Sequence, residues 1–147
     1  MFIDCALARY ESEAFAIYDT IQYVKPPIYT LCIGNAFGEA AMLLSSGQKG
    51  HRAALPSATI MLKQPIQSFR NLQASDIEIK RTELRSIKDE MCRIIGKNTD
   101  KEPEEIEQDT KRPKYFTPQA AVEYGLIDNV LTNEAENMMN RVNAAGL

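Results

Sequence analysis

The sequence contains few of the residues that build metal and disulfide sites. Among its 147 residues there is one histidine, His51, and there are three cysteines, Cys5, Cys32 and Cys92. No cysteine lies near His51 in the sequence, so a zinc site or another transition-metal site is not predicted. The cysteines are widely spaced and form no CxxC pair. We therefore predict reduced thiols in an intracellular or organellar compartment, and no cofactor.

Long apolar runs and an excess of one charge are also lacking. No stretch approaches the roughly 18 apolar residues of a membrane-spanning helix. No signal or transit peptide is visible at Met1, unless processing has removed one. The net charge of −3 provides no basic surface that would attract phosphates. We therefore expect neither a membrane nor a nucleic acid as a partner.

Short apolar segments alternate with amphipathic segments along the chain, which is typical of an α/β domain. The length is enough for one domain with its own core. Prolines and glycines mark the ends of the predicted helices, because proline cannot continue a helix and glycine favours the conformation that follows one. The predicted strands are 1–3, 28–33, 58–62 and 126–131, with 28–33 buried on both faces, and the predicted helices are 11–24, 39–46, 75–96, 102–109 and 117–124.

The clearest local signal is at the start of the longest predicted helix. Ser75 and Glu78 have the spacing of a capping box, in which a serine N-cap and a glutamate three residues later bind the free backbone N–H groups. An apolar stripe follows at helical spacing, and Gly96 is predicted to end the helix. The stripe consists of Ile77, Leu84, Ile87, Met91, Ile94 and Ile95.

Five segments are recognisable together by their order and spacing. They are 14–20 (AFAIYDT), 31–34 (LCIG), 47–56 (GQKGHRAALP), 73–79 (QASDIEI) and 121–128 (AVEYGLID). Together they resemble the ClpP family of peptidases. The resemblance covers residues 1–131 as one ClpP-like domain without the opening segment of the family, and leaves 132–147 as a C-terminal tail. It implies a crotonase-like α/β fold with a protruding handle helix, and a serine peptidase assembled as stacked heptameric rings.

The catalytic triad of the family does not match this sequence. In active members a serine nucleophile, a histidine base and an orienting aspartate act together. The resemblance places Gly38 at the serine position, Lys63 at the histidine position and Pro113 at the aspartate position. Glycine has no side chain to attack a carbonyl, and proline can neither orient a base nor donate from its backbone. The catalytic residues are therefore predicted to be absent.

Two further differences lie next to the triad positions. Active members carry a Gly-Gly pair after the first matched strand, whose backbone N–H groups stabilise the oxyanion, whereas residues 4–9 contain no glycine. Glu39 follows Gly38, and its carboxylate would repel a developing oxyanion. Loss of one oxyanion donor costs about 10²–10³ in rate. This pattern, together with 24–28 and 111–116, is similar to the non-catalytic ClpR branch of plastids and cyanobacteria.

Other chemistry-bearing residues have simpler interpretations. Ser45 and Ser46 lie at a helix end and are interpreted as surface or capping residues, and His51 as a turn residue. Lys63 could form a Ser–Lys dyad with Ser12 or Ser68, although a solvated loop lysine is the simpler interpretation. Residues 102–109 are interpreted as a solvated helix face rather than a metal site. Asp109 is a possible substitute for the aspartate, but it lies four positions from Pro113.

The helix from Ser75 and its surroundings carry the predicted contacts with other subunits. In the family this helix is the handle that interleaves between two rings, although its stripe could equally pack on its own domain. Residues 66–72 depart from the family, which casts doubt on backbone pairing with a substrate peptide. Arg112 is retained, and its position takes part in ring-to-ring ion pairing in the family.

Two main hypotheses follow. The first is a non-catalytic structural and regulatory subunit of an ATP-dependent Clp protease core. Its partners would be catalytic ClpP-type and other ClpR-type subunits in heptameric and tetradecameric rings, and an AAA+ Clp chaperone. The second is a serine peptidase that uses replaced residues, and a weaker third is a free-standing crotonase-fold binding module. The resemblance implies the plastid stroma, or alternatively a cyanobacterial cytoplasm or an apicoplast.

Overall fold

A computed structural model describes residues 2–5, 11–66 and 73–132. Strands and helices alternate in these residues, which confirms the predicted α/β composition. The predictions for 6–10, 67–72 and 133–147 lie outside the described residues. The elements are β1 (Phe2–Cys5), α1 (Glu11–Tyr23), β2 (Thr30–Phe37), α2 (Glu39–Ser45), β3 (Arg52–Ala54), β4 (Thr59–Leu62), α3 (Ala74–Thr99), α4 (Pro103–Thr110), β5 (Lys114–Phe116), α5 (Pro118–Tyr124) and β6 (Asn129–Val130).

Strand β2 is the centre of the sheet. The strand order is β5-β4-β2-β3-β6, and β1 also pairs with β2. The first half of β2 pairs with β3 and the second half pairs with β4, all in parallel. Only β4 and β5 pair antiparallel among the described strands. The ends of β2 and β4 therefore lie side by side at one edge of the sheet.

The core lies between the sheet and the helices. Its fully buried side chains come from β2, β4, the helices and the segment after α5, and include Leu44, Ile60, Ile95 and Leu126. Burial of each such side chain contributes about 1.5–3 kcal/mol. Cys32 and Cys92 are buried and unbridged, as predicted. The Cys5 side chain lies outside the described part of the chain.

The strand predictions were correct for β4 and only partly correct for β2. Strand β2 begins at Thr30 and continues through residues 35–37, which the sequence predicts as a connection. The prediction that β2 is buried on both faces was also wrong, because Ile33 is 37% exposed. Strands β3 and β5 were not predicted, since three residues are too few to show a period of two. Strand β6 is shorter than predicted.

The start and end of α3 also differ from the sequence prediction. The N-cap is Gln73 rather than Ser75, and no side-chain cap hydrogen bond is made there. The helix continues through Gly96 to Thr99, and Asp100 follows in the left-handed conformation with φ 57°. Gly96 does not end the helix but allows the turn after α3 to approach it closely. A Cβ added at Gly96 would lie 2.7 Å from the backbone oxygen of Lys101.

The other helices follow their sequence signals. Helix α1 ends before the two prolines, and α4 carries Pro103 in its first turn. Thr117 caps α5 by accepting a hydrogen bond from the N–H of Ala120 at 3.3 Å. Gly125 then ends α5 with φ 92°. Local capping chemistry therefore determines these boundaries.

Candidate functional site

The turn between β2 and α2 holds Gly38 in a conformation that disfavours side chains. Gly38 is buried, with φ 57° and ψ −110°. Its N–H donates to the oxygen of Met61 at 2.8 Å, and its own oxygen accepts from the N–H of Met42 at 3.1 Å. A strained strand–turn–helix connection of this kind exposes the nucleophilic serine in α/β-hydrolases. Here the residue at the turn has no side chain.

Lys63 lies directly beside this turn. It follows the last residue of β4, and β4 is paired with the end of β2. A Cβ added to Gly38 would lie 2.6 Å from Cε and 3.2 Å from Cγ of Lys63. The structure therefore brings together the two positions that the sequence matches to a nucleophile and a base.

Pro113 lies directly before β5, at the edge of the sheet where β4 ends. Strands β4 and β5 pair antiparallel, and their last pair before Lys63 and Pro113 is Leu62 opposite Lys114. Pro113 is exposed and has no N–H to donate. Positions 38, 63 and 113 therefore lie at the same edge of the sheet, where β2 and β4 end and β5 begins, and together they provide one ammonium group and no nucleophilic hydroxyl.

Glu39 adds a carboxylate in the first turn of α2. The residue is only 2% exposed, so its side chain lies in the protein interior rather than in solvent. It supplies neither the hydroxyl nor the thiol that a covalent mechanism would need. The expected repulsion between Glu39 and an oxyanion stays a prediction.

Asp109 is engaged elsewhere. One carboxylate oxygen accepts from the hydroxyl of Tyr124 at 2.6 Å, and the other pairs with Nζ of Lys114 at 2.9 Å. Burial alone would raise the pKa of Asp109, but these hydrogen bonds outweigh burial and hold the pKa below its ordinary value. Burial and the Asp109 carboxylate raise the pKa of Tyr124. No ion pair joins Asp109 to Lys63 in the described residues.

The two serines at the end of α2 form structural hydrogen bonds. The hydroxyls of Ser45 and Ser46 both donate to the oxygen of Met42 at 2.7 Å. Both residues are buried, so their prediction as surface residues was wrong. The amide of Asn98 donates to Ser45 at 3.0 Å and links α2 to the end of α3.

The remaining candidates form no catalytic arrangement among the described residues. The backbone N–H of His51 donates to Gln48 at 2.9 Å, as expected of a turn residue, and its ring stacks on Tyr29 at 4.1 Å. Ser12 is exposed on α1, and no hydrogen bond joins it to Lys63. Ser68 lies outside the described residues. Arg112 is exposed and has no ion pair with a described residue.

A basic groove lies beyond Lys63, between the end of β4 and α3. It encloses about 180 Å³ and is lined by Gln64, Pro65, Arg81, Leu84, Arg85 and Lys88. Lys88 is neutralised by Glu107 at 2.6 Å. The groove contains neither a nucleophile nor a base with an orienting partner. It therefore adds positive charge to this edge of the sheet but no catalytic group.

Metal and membrane sites are not found in the described residues. Across 2–5, 11–66 and 73–132, no three potential ligand side chains converge on a point that could hold a metal ion. In the same residues no helix combines the length and the apolar character that crossing a bilayer requires. The site therefore consists of the turn at Gly38 and its neighbours.

Comparisons with known proteins identify relatives of one kind. The profile of the family described as Clp protease matches residues 11–134. The chain is 62% identical over 125 residues to ATP-dependent Clp protease proteolytic subunit-related protein 4, chloroplastic, of Arabidopsis thaliana, which covers 85% of this chain and 41% of that protein. It is 51% identical over 127 residues to an ATP-dependent Clp protease proteolytic subunit-like protein of Synechococcus elongatus, covering 86% and 55%.

A third relative carries the name of a proteolytic subunit without qualification. The chain is 43% identical over 140 residues to ATP-dependent Clp protease proteolytic subunit 2 of Gloeobacter violaceus, which covers 95% of this chain and 63% of that protein. The chain therefore spans between 41% and 63% of the length of these three relatives.

Proposed function

The chain belongs to the Clp protease family, and we propose that within this family it is a non-catalytic subunit of a hetero-oligomeric ATP-dependent Clp protease core. Its role would be structural and regulatory, supporting protein degradation by active paralogues. The name of the Arabidopsis relative, a subunit-related protein, supports this assignment.

One observation carries the proposal. Gly38 lies beside Lys63, and Pro113 precedes β5 at the same edge of the sheet, which supports the assignment of these residues to the positions of a nucleophile, a base and an orienting carboxylate. Such a triad needs a hydroxyl or thiol within hydrogen-bond reach of its base. The predicted repulsion between Glu39, which is buried, and an oxyanion would further disfavour acyl transfer at this turn.

We further propose that residues 1–131 form a crotonase-like domain, that 132–147 form a tail, and that α3 is its handle. No residue in 74–90 is buried, and Ile77 and Ile79 are exposed by 40% and 67%. Met91, Ile94 and Ile95 further along α3 are buried in the core. An anchored helix whose first half carries exposed apolar residues is suited to packing against another subunit.

The proposed partners are catalytic ClpP-type subunits and other ClpR-type subunits in heptameric rings, with an AAA+ Clp chaperone docking on the assembly. The proposed location is the plastid stroma, because the Arabidopsis relative is named as chloroplastic. The cyanobacterial cytoplasm is the alternative, since Synechococcus and Gloeobacter also have close relatives.

The proposal is tested by the variant Gly38→Ser. We expect no labelling of this variant by a serine-directed fluorophosphonate, because Lys63 and Pro113 provide no oriented base for the new hydroxyl. An active Clp paralogue in the same reaction provides the positive control. Labelling of Gly38→Ser at a rate comparable to that of the paralogue would refute the non-catalytic assignment.

A further inference from the structure

Position 38 not only lacks a nucleophile but also lies in close contact with the side chain of Lys63. A Cβ at position 38 would lie 2.6 Å from Cε, 3.2 Å from Cγ and 3.6 Å from Cδ of Lys63. Real Cβ atoms essentially never have neighbours within 3.0 Å. We propose that the Lys63 side chain is a plug, whose methylene groups occupy the space into which any side chain at position 38 would project.

The backbones on both sides of this contact are held in place. The N–H of Gly38 donates to Met61, two residues before Lys63, at 2.8 Å. Leu62, which precedes Lys63, is paired with Lys114 on β5. The two Cα positions therefore cannot move apart without breaking sheet hydrogen bonds. The Lys63 side chain is the part that can yield, and because its end is flexible the cost of displacing it is small.

The environment of Lys63 favours the plugged conformation. Lys63 is partly buried, and no ion pair with a described residue draws its ammonium group elsewhere. A lysine can bury its methylene stem along a surface while its ammonium group stays in solvent. A peptide carbonyl brought to this turn would therefore meet the hydrocarbon chain of Lys63. Position 38 would then be inaccessible to a substrate as well as unreactive.

Two separate costs oppose a side chain at position 38. One is the backbone conformation at φ 57°, which is unfavourable for any L-residue whatever surrounds it. The other is displacement of Lys63, which is the cost that the plug predicts. Because a lysine side chain is flexible, only a measurement of the coupling between the two positions separates these costs.

The test is the change in melting temperature caused by Gly38→Ala in three backgrounds of the full chain: wild type, Lys63→Met and Lys63→Ala. Methionine keeps heavy atoms at the γ, δ and ε positions without the charge. We expect a loss of roughly 6–10 °C in the wild-type and Lys63→Met backgrounds, and a measurably smaller loss in Lys63→Ala, where only the strain of the backbone conformation remains. An equal loss in all three backgrounds overturns the plug. An equally reduced loss in both Lys63 variants also overturns it, because the charge and not the methylene chain would then be responsible.

Gly50→Ala is the matched control. Gly50 also has a positive φ of 87°, but an added Cβ would meet nothing within 4 Å. The loss in melting temperature caused by Gly50→Ala should therefore be the same in all three backgrounds.

Nuclear Overhauser effects in the unmutated protein provide a second test, which does not depend on whether the variants fold. Cross-peaks between the Gly38 α-protons and the Lys63 side-chain methylenes are expected, and their absence would overturn the proposal.

Discussion

The carboxylate of Asp128 accepts four hydrogen bonds. It accepts from Nε and Nη2 of Arg52 at 3.0 and 2.7 Å, and from the backbone N–H groups of Gly50 and Arg52 at 2.7 and 3.0 Å. Arg52 also donates to the oxygens of Ser45 and Asn98. One ion pair therefore joins β3, the segment before β6, and the ends of α2 and α3.

We predict that Asp128→Asn destabilises the protein by about 2–3 kcal/mol, because it leaves the Arg52 guanidinium uncompensated in a site where the arginine is 5% exposed. The measurement is urea unfolding. Asp100→Asn is the matched control, since the Lys49–Asp100 pair lies at the surface and its loss should cost less than about 1 kcal/mol. Equal effects of the two substitutions would contradict the role assigned to Asp128.

The same carboxylate predicts a pH dependence. Burial alone would raise the pKa of Asp128, but the hydrogen bonds and the charge of Arg52 outweigh burial and lower the pKa. Its contribution to stability is therefore complete above the unfolded pKa of about 3.9, and is lost as the pH falls through the folded pKa. Between pH 5 and pH 2.5 the unfolding free energy of the wild type should fall more steeply than that of Asp128→Asn. Parallel curves would contradict this prediction.

Sequence reasoning proposed the triad positions but could not predict the contact between Gly38 and Lys63. The resemblance to a known family placed Gly38 and Lys63, and the structure brings these two residues into contact. Their separation along the chain carries no information about the path of the Lys63 side chain, which depends on the register of β2 with β4. Burial of Glu39, Ser45 and Ser46 was also missed, because polar residues in a short helix predict an exposed face.

At the scale of elements, α3 shows how tertiary contacts change a local signal. A glycine near the end of an apolar stripe predicts a helix end, yet Gly96 lies inside α3. The reason is the close approach of the Lys101 carbonyl, which comes from the turn that joins α3 to α4. Helices bounded by proline or by a threonine cap were predicted well, because those signals act within one turn.

We predict that Gly96→Ala destabilises the protein by about 1–3 kcal/mol. Helix propensity alone favours alanine by about 1 kcal/mol, but the new Cβ would lie 2.7 Å from a backbone oxygen that cannot move freely. The measurement is thermal unfolding by circular dichroism. Ser86→Ala at an exposed position of the same helix is the control and should be neutral or slightly stabilising. A gain in stability for Gly96→Ala similar to that of the control would refute the close-approach explanation.

At the scale of the whole molecule, the first half of α3 is packed more loosely than its second half. Its contacts include the ion pair of Lys88 with Glu107 and the groove shared with Gln64 and Pro65. Residues 74–90 contain no buried position, whereas Met91, Cys92, Ile94 and Ile95 are buried. Most of the stability of a helix in a protein comes from tertiary packing of one face rather than from intrinsic propensity. The first half of α3 is therefore expected to depend on contacts with another subunit.

Hydrogen exchange tests this expectation within one chain. In the isolated protein the amides of residues 78–90 should exchange faster than those of residues 94–99, which serve as the internal control. In an assembled complex, amide exchange in residues 78–90 should slow markedly, while exchange in residues 94–99 should change little. Equal protection of both groups in the isolated chain would show that α3 is stable without a partner.

The most direct test of the central claim is native mass spectrometry of the tagged chain, purified from its source organism after treatment with a serine-directed fluorophosphonate. We predict a ring-sized complex with other Clp subunits, in which active paralogues carry the adduct and this chain does not. Adduct formation on this chain would contradict its non-catalytic assignment. Recovery of the chain as a monomer without Clp subunits would contradict its role in the protease core.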